Sequence, residues 1–124
     1  MKFCWTTIQV CDMKESLAFY QGILELEVNR KTQPAPGVEL VFLGHGDTQI
    51  ELICDQTSGR PTFSESLSLG FEVPSLDQFI GRLQEKGIAL ESGPVQPAPF
   101  IRFAFIRDPN GLKIQLVEHL TPEA

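Results

Sequence analysis

The sequence predicts an α+β fold in which a unit of one strand, one helix and three further strands occurs twice. Two helix-start signals, at Asp12 and Ser75, are separated along the chain by almost the same interval as two apolar hairpin positions, Ile50 and Ile114. An alternating strand pattern precedes each helix. The spacing is an internal repeat, so we predict eight strands and two main helices in this chain of 124 residues.

The first unit begins with an alternating strand, and one face of that strand carries Thr6, Ile8 and Val10. Asp12 predicts the start of a helix because Glu15 follows three residues later, and this pair is typical of a capping box around free backbone N–H groups. One side of the predicted helix carries an apolar stripe, made of Met13, Leu17, Tyr20 and Leu24.

The second unit has the same signals in the same order. Its strand alternates through Leu67, Leu69, Phe71 and Val73. Ser75 and Gln78 form the second capping box, and Gly87 is a natural C-terminal cap. The apolar stripe of this helix consists of Leu76, Phe79, Ile80 and Leu83.

A further strand, a loop rich in Pro and Gly, and a hairpin follow each helix. The first hairpin joins residues 38–43 to 49–54, and the second joins residues 101–106 to 112–118 through a turn at residues 108–111. We therefore divide this single domain into module one, residues 1–55, a polar linker, residues 56–64, and module two, residues 65–124. The two tandem βαβββ modules are predicted to form a curved mixed sheet.

The two faces of the predicted strands differ in character. The faces that carry Ile8, Ile50, Leu69 and Ile114 must pack on the helices, whose apolar stripes need a partner. The opposite faces collect polar groups, Trp5 and one carboxylate, which is typical of a small-ligand pocket. These residues are Trp5, Thr7, Gln49, Glu51, Ser66, Ser68, Gly70, Lys113, Gln115 and Val117.

Composition narrows the class of protein. Sixteen acidic against ten basic residues give a net charge of −6, which disfavours nucleic acid as a partner. Three cysteines without a CxxC pattern predict buried thiols in a reducing compartment. No apolar run is long enough for a membrane span and the start lacks the apolar block of a signal peptide, so we expect a cytoplasmic protein without a membrane partner.

Three motifs carry a resemblance to a known family. They are similar to three elements of the vicinal oxygen chelate superfamily. The first helix corresponds to residues 16–20 with 23–24, the fourth strand to residues 49–52, and the closing hairpin to residues 108–111 with 114–116. That superfamily groups glyoxalase I, bleomycin-resistance proteins and extradiol dioxygenases. The resemblance implies a glyoxalase/bleomycin-resistance-like fold that pairs as a homodimer. One departure is Glu25, where the family commonly has glycine.

The resemblance also implies where a metal would be held. In metal-dependent members the ligands lie at positions that correspond here to Trp5, Glu51, Ser68 and Gln115. Only Glu51 keeps good ligand chemistry, because an indole is a donor and the hydroxyl and amide oxygens are weak neutral ligands. We therefore expect no metal ligands and no cofactor, with a divalent metal such as zinc or nickel as the alternative.

Several residues have more than one interpretation. Trp5 is either a stacking platform for a planar or cationic ligand or a ring that fills the space of a lost metal. Glu51 is a general base, a ligand anchor or a partner of Lys113, and we favour the anchor. Arg102 either binds an anionic ligand or lies on the solvated surface. His45 and His119 are expected at the surface.

The expected function is metal-free binding of a small organic ligand, similar to bleomycin-resistance-type sequestering proteins. The predicted binding residues are Trp5, Thr7, Gln49, Glu51, Ser68, Arg102, Lys113 and Gln115. One alternative is a metal-dependent glyoxalase-like lyase or isomerase, similar to lactoylglutathione lyase, that uses Glu51 with non-standard ligands. A second alternative is a non-catalytic interaction module with a filled cavity.

Overall fold

The structure, a computed structural model, describes residues 1–121, and the chain divides into two compact units. Unit 1 is Met1–Thr62, and unit 2 begins at Phe63. Each unit contains one four-stranded sheet and one helical segment in the order strand, helix, strand, strand, strand. The predicted α+β fold with a repeated unit is confirmed.

In unit 1 the sheet has the order β1-β4-β3-β2. Strand β1 is parallel to β4, while β3 is antiparallel to both β4 and β2. The strands are β1 (Trp5–Gln9), β2 (Val28–Ala35), β3 (Val38–Leu43) and β4 (Gln49–Asp55). Between β1 and β2 the chain forms helix α1 (Met13–Leu17), which continues as a π-helix (Ala18–Ile23).

Unit 2 has the same topology, with the sheet order β5-β8-β7-β6. Strand β5 is parallel to β8, while β7 is antiparallel to both β8 and β6. Its elements are β5 (Ser68–Glu72), α2 (Leu76–Glu85), β6 (Ser92–Ala98), β7 (Ile101–Arg107) and β8 (Lys113–His119).

Both helix starts have the bond to the N-cap side chain that the predicted capping boxes require. The Asp12 side chain accepts a hydrogen bond from the Glu15 backbone N–H at 2.9 Å, and the Ser75 hydroxyl accepts one from the Gln78 N–H at 3.3 Å. Asp12 and Ser75 have extended backbone angles, as N-cap residues do. Such a cap contributes about 1 kcal/mol, which is enough for the local sequence to favour a helix start at this residue.

The first helix departs from the predicted apolar stripe. Its second half is a π-helix, in which the Leu24 N–H bonds to the Phe19 carbonyl at 3.0 Å, five residues back. Met13 and Tyr20 of the predicted stripe are buried, but the wider turn changes the phase of the side chains, so Phe19 is buried as well while Leu17 and Leu24 are only half-buried. The stripe assumed 3.6 residues per turn, and that assumption fails here.

The core of each unit lies between its helix and one face of its sheet, which we call the covered face. In unit 1 the buried apolar residues on these elements include Ile8, Val10, Met13, Phe19, Tyr20, Val41, Leu43 and Leu52. In unit 2 they include Val73, Leu76, Phe79, Leu83, Ala104, Ile106, Ile114 and Leu116. Burying one large apolar side chain contributes about 1.5–3 kcal/mol, so these two clusters hold the helices on the sheets.

The cysteines do not all behave as predicted. Cys54 is buried on the covered face of β4, and burial raises the pKa of its thiol. Cys4 and Cys11, which lie outside the two ends of β1, are exposed, so the prediction of buried thiols is wrong for them. No helix within residues 1–121 has the length and apolar character of a bilayer-spanning segment.

Candidate functional site

The open face of unit 1, the side of its sheet away from the helix, carries a row of four side chains, one from each strand. Residues paired across neighbouring strands point to the same face. Thr7 pairs with Glu51, Glu51 with Phe42, and Phe42 with Arg30. The row therefore crosses all four strands, and Trp5, paired with Gln49, lies in the next row.

Glu51 is the carboxylate of this row, and Thr7 holds it in place. The Thr7 hydroxyl donates a hydrogen bond to Glu51 Oε1 at 2.6 Å. Glu51 is half-buried, and within residues 1–121 its second oxygen, Oε2, accepts no hydrogen bond. The carboxylate is therefore oriented and keeps one oxygen for a further donor.

Aromatic rings flank the carboxylate. Trp5 meets the ring of Phe42 edge-on, with the ring centroids 5.5 Å apart. The Arg30 guanidinium lies over the same Phe42 ring, 4.4 Å from its centroid. Trp5 is 47% exposed, so of its two interpretations the structure favours a contact surface over a space-filling core residue.

A cavity of about 230 Å³ opens beside these rings. Its lining consists of Trp5, Asn29, Arg30, Phe42 and Gln49. The Asn29 side-chain amide donates to Gln49 Oε1 and to the Gly44 carbonyl, each at 3.2 Å. The cavity is slightly smaller than the range typical of drug-sized ligands, and it suits a single substituted ring.

A larger cavity of about 730 Å³ lies on the covered side of unit 1, beside α1 and the exposed Cys11. The Asp12 carboxylate at its rim already caps the helix, and the Cys54 thiol donates a hydrogen bond to the Cys11 carbonyl at 3.6 Å. In the part of the chain that the structure describes, no aromatic residue lines this cavity. We therefore place the candidate site on the open face, where rings and a carboxylate meet.

The open face of unit 2 has the same register but different chemistry. Gly70 pairs with Gln115, and Gln115 with Phe105, while Ser68 pairs with Lys113 in the next row. Lys113 Nζ lies 5.4 Å from the Phe105 centroid and 3.5 Å from the Glu65 carbonyl oxygen. The residue that corresponds to Glu51 is thus a neutral amide, and glycine stands where unit 1 has the Thr7 hydroxyl.

Arg102 lies on the covered face, away from the other predicted site residues. It pairs across strands with Glu118, and its guanidinium binds Asp77 of α2 at 3.0 Å. That hydrogen bond lowers the pKa of the Asp77 carboxyl from its ordinary value. The alternation of β7, in which Ala104 and Ile106 are buried, places Arg102 on their side.

Sequence reasoning missed three residues of the site: Asn29, Arg30 and Phe42. Strand β2 has irregular register near Val28 and Arg30, so simple alternation does not predict which face of the sheet its side chains occupy. Phe42 lies between Val41 and Leu43, all three are buried, and an unbroken apolar run does not reveal which residue lies on the open face.

The described residues do not by themselves fit a divalent metal. Trp5, Glu51, Ser68 and Gln115 supply one carboxylate with neutral oxygens and an indole. Within residues 1–121 no group of three or more His, Cys, Asp or Glu side chains is arranged to hold an ion. The two histidines are exposed, as predicted, and their ring nitrogens lie close to glutamate oxygens, His45 to Glu27 at 3.2 Å and His119 to Glu72 at 3.0 Å.

Known proteins resemble this chain along most of its length. A model of the Glyoxalase/Bleomycin resistance protein/Dioxygenase superfamily matches residues 2–116. The lactoylglutathione lyase of Salmonella typhimurium is 29% identical over 126 residues, which cover 95% of this chain and 93% of that protein. The trypanothione-dependent glyoxalase I of Leishmania major has a TM-score of 0.81 at 25% identity, over 95% of this chain and 86% of that one. TnmS3, an antibiotic-binding protein from Streptomyces, has a TM-score of 0.75 at 25% identity, over 96% of each chain.

These relatives correct one expectation from the sequence. Proteins named lactoylglutathione lyase form a metal-dependent enzyme class. The prediction that no cofactor is involved is therefore wrong by this comparison. It rested on the loss of good ligands at three of the four mapped positions, and side-chain chemistry at those positions does not by itself decide whether an ion takes part.

Proposed function

Because the chain belongs to the Glyoxalase/Bleomycin resistance protein/Dioxygenase superfamily, we propose that it binds a small organic molecule at the open face of unit 1. In this proposal Glu51 Oε2 accepts a hydrogen bond from the ligand, and the rings of Trp5 and Phe42 contact its flat portion. The observation that carries the proposal is the 2.6 Å hydrogen bond from Thr7, which orients a carboxylate on the same open face as an exposed indole, one row away.

The composition of the site supports this proposal. Rings supply apolar area, while Glu51, Gln49 and Asn29 supply a few polar groups with fixed orientation, as small-molecule sites do. An aromatic contact and a cation–π contact each contribute about 1 kcal/mol. The similar fold of an antibiotic-binding protein is consistent with binding that requires no chemistry.

Tryptophan fluorescence provides a direct test, because Trp5 is the only tryptophan of the chain. We expect saturable changes in Trp5 emission on titration with members of a library of aromatic amines and thiol conjugates. Glu51→Gln should weaken an amine by about tenfold, since a charge-assisted hydrogen bond is lost. Glu39→Gln is the matched control because it removes the same charge from the covered face of the same sheet.

Two results would contradict the proposal. One is the absence of any saturable signal across the library, by fluorescence and by ligand-observed NMR. The other is binding that Glu51→Gln and Glu39→Gln weaken equally. The affinity would then depend on the net charge of the protein and not on the position of Glu51. The first result leaves the interaction-module interpretation in its place.

Lyase activity is the second candidate, and the relatives named lactoylglutathione lyase favour it. When bound, a divalent ion such as zinc or nickel supplies Lewis-acid chemistry. Glu51 is the acidic side chain at the four mapped positions, so further ligands would come from water and substrate oxygens. The described residues do not complete such a site, and we assign no chemical step to it.

Metal content and turnover together test the lyase candidate. After equilibrium dialysis with nickel or zinc, this candidate expects close to one ion per subunit and formation of lactoylglutathione from its hemithioacetal precursor. Glu51→Gln should abolish both, and Glu39→Gln should retain both. The lyase candidate is refuted if the dialysed protein holds no stoichiometric ion and gives no turnover above the uncatalysed rate. The proposed ligand binding is tested separately, by the fluorescence titration.

We also propose that the chain pairs as a homodimer. Support comes from the large apolar side chains exposed on the single chain, among them Phe3 at 69% and Phe100 at 57%. Sedimentation velocity across a hundredfold range of concentration measures the assembly, and a species of 13.8 kDa throughout would contradict the pairing.

A further inference from the structure

Arg30 differs from the other arginines that lie on strands. Arg102 binds Asp77, and Arg107 binds both Glu65 and Glu91. Within residues 1–121 no carboxylate lies at ion-pair distance from Arg30, whose guanidinium instead stacks on Phe42 in the wall of the 230 Å³ cavity. Arg30 is exposed, and the planar fork of N–H groups of a guanidinium matches the geometry of a carboxylate.

The position of Arg30 relative to Glu51 defines a distance between two opposite charges. Phe42 lies between them in one row across β4, β3 and β2. Neighbouring strands lie about 4.8 Å apart, so the Cα atoms of Glu51 and Arg30 are about 10 Å apart. The Arg30 guanidinium lies 4.4 Å from the Phe42 centroid, so both charged side chains lie beside the same ring.

We propose that the ligand of this site is a planar molecule with two charged ends, an acidic group that binds Arg30 and an amine that binds Glu51. Its ring lies in the cavity beside Trp5 and Phe42. This inference rests on the proposed function, because it specifies the chemical class of the ligand at the same site. Arg30 is the specificity-determining residue, since Glu51 alone selects any amine, and Arg30 selects those that carry an acid.

The site also has a reason to reject ligands with one charge. A simple amine leaves Arg30 without a partner, and a simple acid leaves Glu51 facing a ring that offers no donor. Each charge-assisted contact is worth about tenfold or more in affinity when the partner is held in place. Two such contacts on one rigid ring should therefore separate the doubly charged ligand from both singly charged ones.

Three probes that share one benzene ring test this inference: benzylamine, benzoate and 4-(aminomethyl)benzoate. We expect 4-(aminomethyl)benzoate to bind the wild-type chain at least tenfold more tightly than either of the others, with Trp5 fluorescence as the readout. Arg30→Gln should reduce its affinity to that of benzylamine, and Glu51→Gln should reduce it to that of benzoate. Arg30→Lys keeps the positive charge but lacks the paired N–H groups of the guanidinium, so its affinity for 4-(aminomethyl)benzoate should be intermediate.

The matched control is Lys31→Gln, which removes a positive charge from the same strand on the other face, where Lys31 pairs with Val41. It should leave all three affinities unchanged, and circular dichroism checks that each variant keeps the wild-type fold. The inference is overturned if 4-(aminomethyl)benzoate binds no better than benzylamine, if Lys31→Gln weakens it as much as Arg30→Gln, or if none of the probes binds.

Failure of the inference is distinguishable from failure of the proposed function. If library amines bind in a manner that depends on Glu51 while Arg30→Gln changes nothing, the site exists and its ligand class is simply the amines. If no library compound gives a saturable signal, the proposed function itself is wrong.

Discussion

The open faces of the two units share one framework and differ in chemistry. Phe42 in unit 1 and Phe105 in unit 2 are equivalent positions of the repeat, and a cation lies over each ring, Arg30 at 4.4 Å and Lys113 at 5.4 Å. The neighbouring pair differs, because Thr7 and Glu51 of unit 1 correspond to Gly70 and Gln115 of unit 2.

This difference shows which part of a duplicated fold is free to change. The pairing of strands is kept because shifting a strand by one residue would turn its whole apolar set to the wrong face. A side chain on the open face has no such constraint. Replacing Glu51 by its neutral counterpart Gln115 removes a charge and, with Gly70 in place of Thr7, also removes the hydroxyl that orients it.

Leucine-to-alanine changes at matched core positions test the shared framework and carry the largest expected effect. Leu52 and Leu116 are equivalent positions of β4 and β8, and both have 0% exposure. Leu52→Ala and Leu116→Ala should each lower the free energy of unfolding by about 2–5 kcal/mol, through lost burial and a remaining cavity. Denaturation with urea, followed by circular dichroism, measures both losses.

Leu67→Ala is the control for that pair, because Leu67 is 48% exposed and its removal should change stability by at most about 0.5 kcal/mol. A loss at Leu52 that exceeds the loss at Leu116 several-fold would show that the two cores are not equivalent, contrary to the shared framework.

Moving the unit 1 pair into unit 2 tests the chemical difference. Gln115→Glu alone should destabilise the chain by about 1–2 kcal/mol, because a half-buried carboxylate then lacks an oriented donor. A side chain added at Gly70 meets Gln115 Oε1 at 3.6 Å, an ordinary contact, so there is room for Gly70→Thr. In the double variant the new hydroxyl should recover about 1 kcal/mol.

The measurement is a double-mutant cycle on the free energy of unfolding at neutral pH. Gly70→Val is the matched control because valine has the shape of threonine without its hydroxyl. If Gly70→Val rescues Gln115→Glu as well as Gly70→Thr does, the recovery comes from strand propensity, and the hydrogen bond is not its cause.

The ends of the two helical segments provide a third comparison. Gly87 after α2 and Glu25 after the π-helix both have left-handed backbone angles, with φ of 72° and 59°. Such angles cost little for glycine and more for residues with a Cβ atom. Glu25→Gly should therefore stabilise the chain by about 1 kcal/mol, and Gly87→Ala should destabilise it by a similar amount.

Glu25→Ala separates the backbone effect from loss of the glutamate side chain, so the relevant difference in unfolding free energy is that between the Gly and Ala variants. Nothing lies within 4 Å of a Cβ atom built at Gly87, so the expected loss there has no steric contribution. Equal stabilities for Glu25→Gly and Glu25→Ala would argue against the backbone explanation.

Much of the fold was predictable from the sequence, because capping signals and alternation act locally. Asp12 and Ser75 mark the helix starts through hydrogen bonds to residues three positions later, and Gly87 marks a helix end through its own backbone angle. These signals depend only on near neighbours in the sequence. The π-helix was not predictable, since it also buries Phe19, which lies outside the stripe given by a 3.6-residue repeat.

The site was predictable only in part, for a related reason. Glu51 and Trp5 lie on strands with clear alternation, so their face follows from sequence. Arg30 lies beside an irregularity in the register of β2, and its stacking on Phe42 depends on a strand pairing that no local pattern encodes. The face of Arg102 was left open although the alternation of β7 settles it.

The last comparison concerns charge, and its expected effect is the smallest. Arg107 in unit 2 binds Glu65 and Glu91 at 2.7 and 2.8 Å, whereas the equivalent position of the repeat in unit 1 is Gly44. The hydrogen bonds to Arg107 hold the pKa of both glutamates below their ordinary value of 4.5. Because the folded-state pKa is the lower one, this stabilisation is fully present above pH 4.5 and is lost as the pH falls through the folded-state values.

Arg107→Gln should therefore flatten the loss of stability below pH 4.5, where the wild-type glutamates take up their protons. Thermal unfolding between pH 3 and pH 7 measures the slope of stability against pH. The salt concentration is kept low, because about 0.1 M salt is already enough to screen exposed charges. Arg30→Gln is the matched control, since Arg30 has no carboxylate at ion-pair distance within residues 1–121 and its removal should leave the slope unchanged. If both variants give the wild-type slope, the acid sensitivity arises elsewhere in the chain, and the three-residue cluster around Arg107 contributes nothing measurable to the difference between the units.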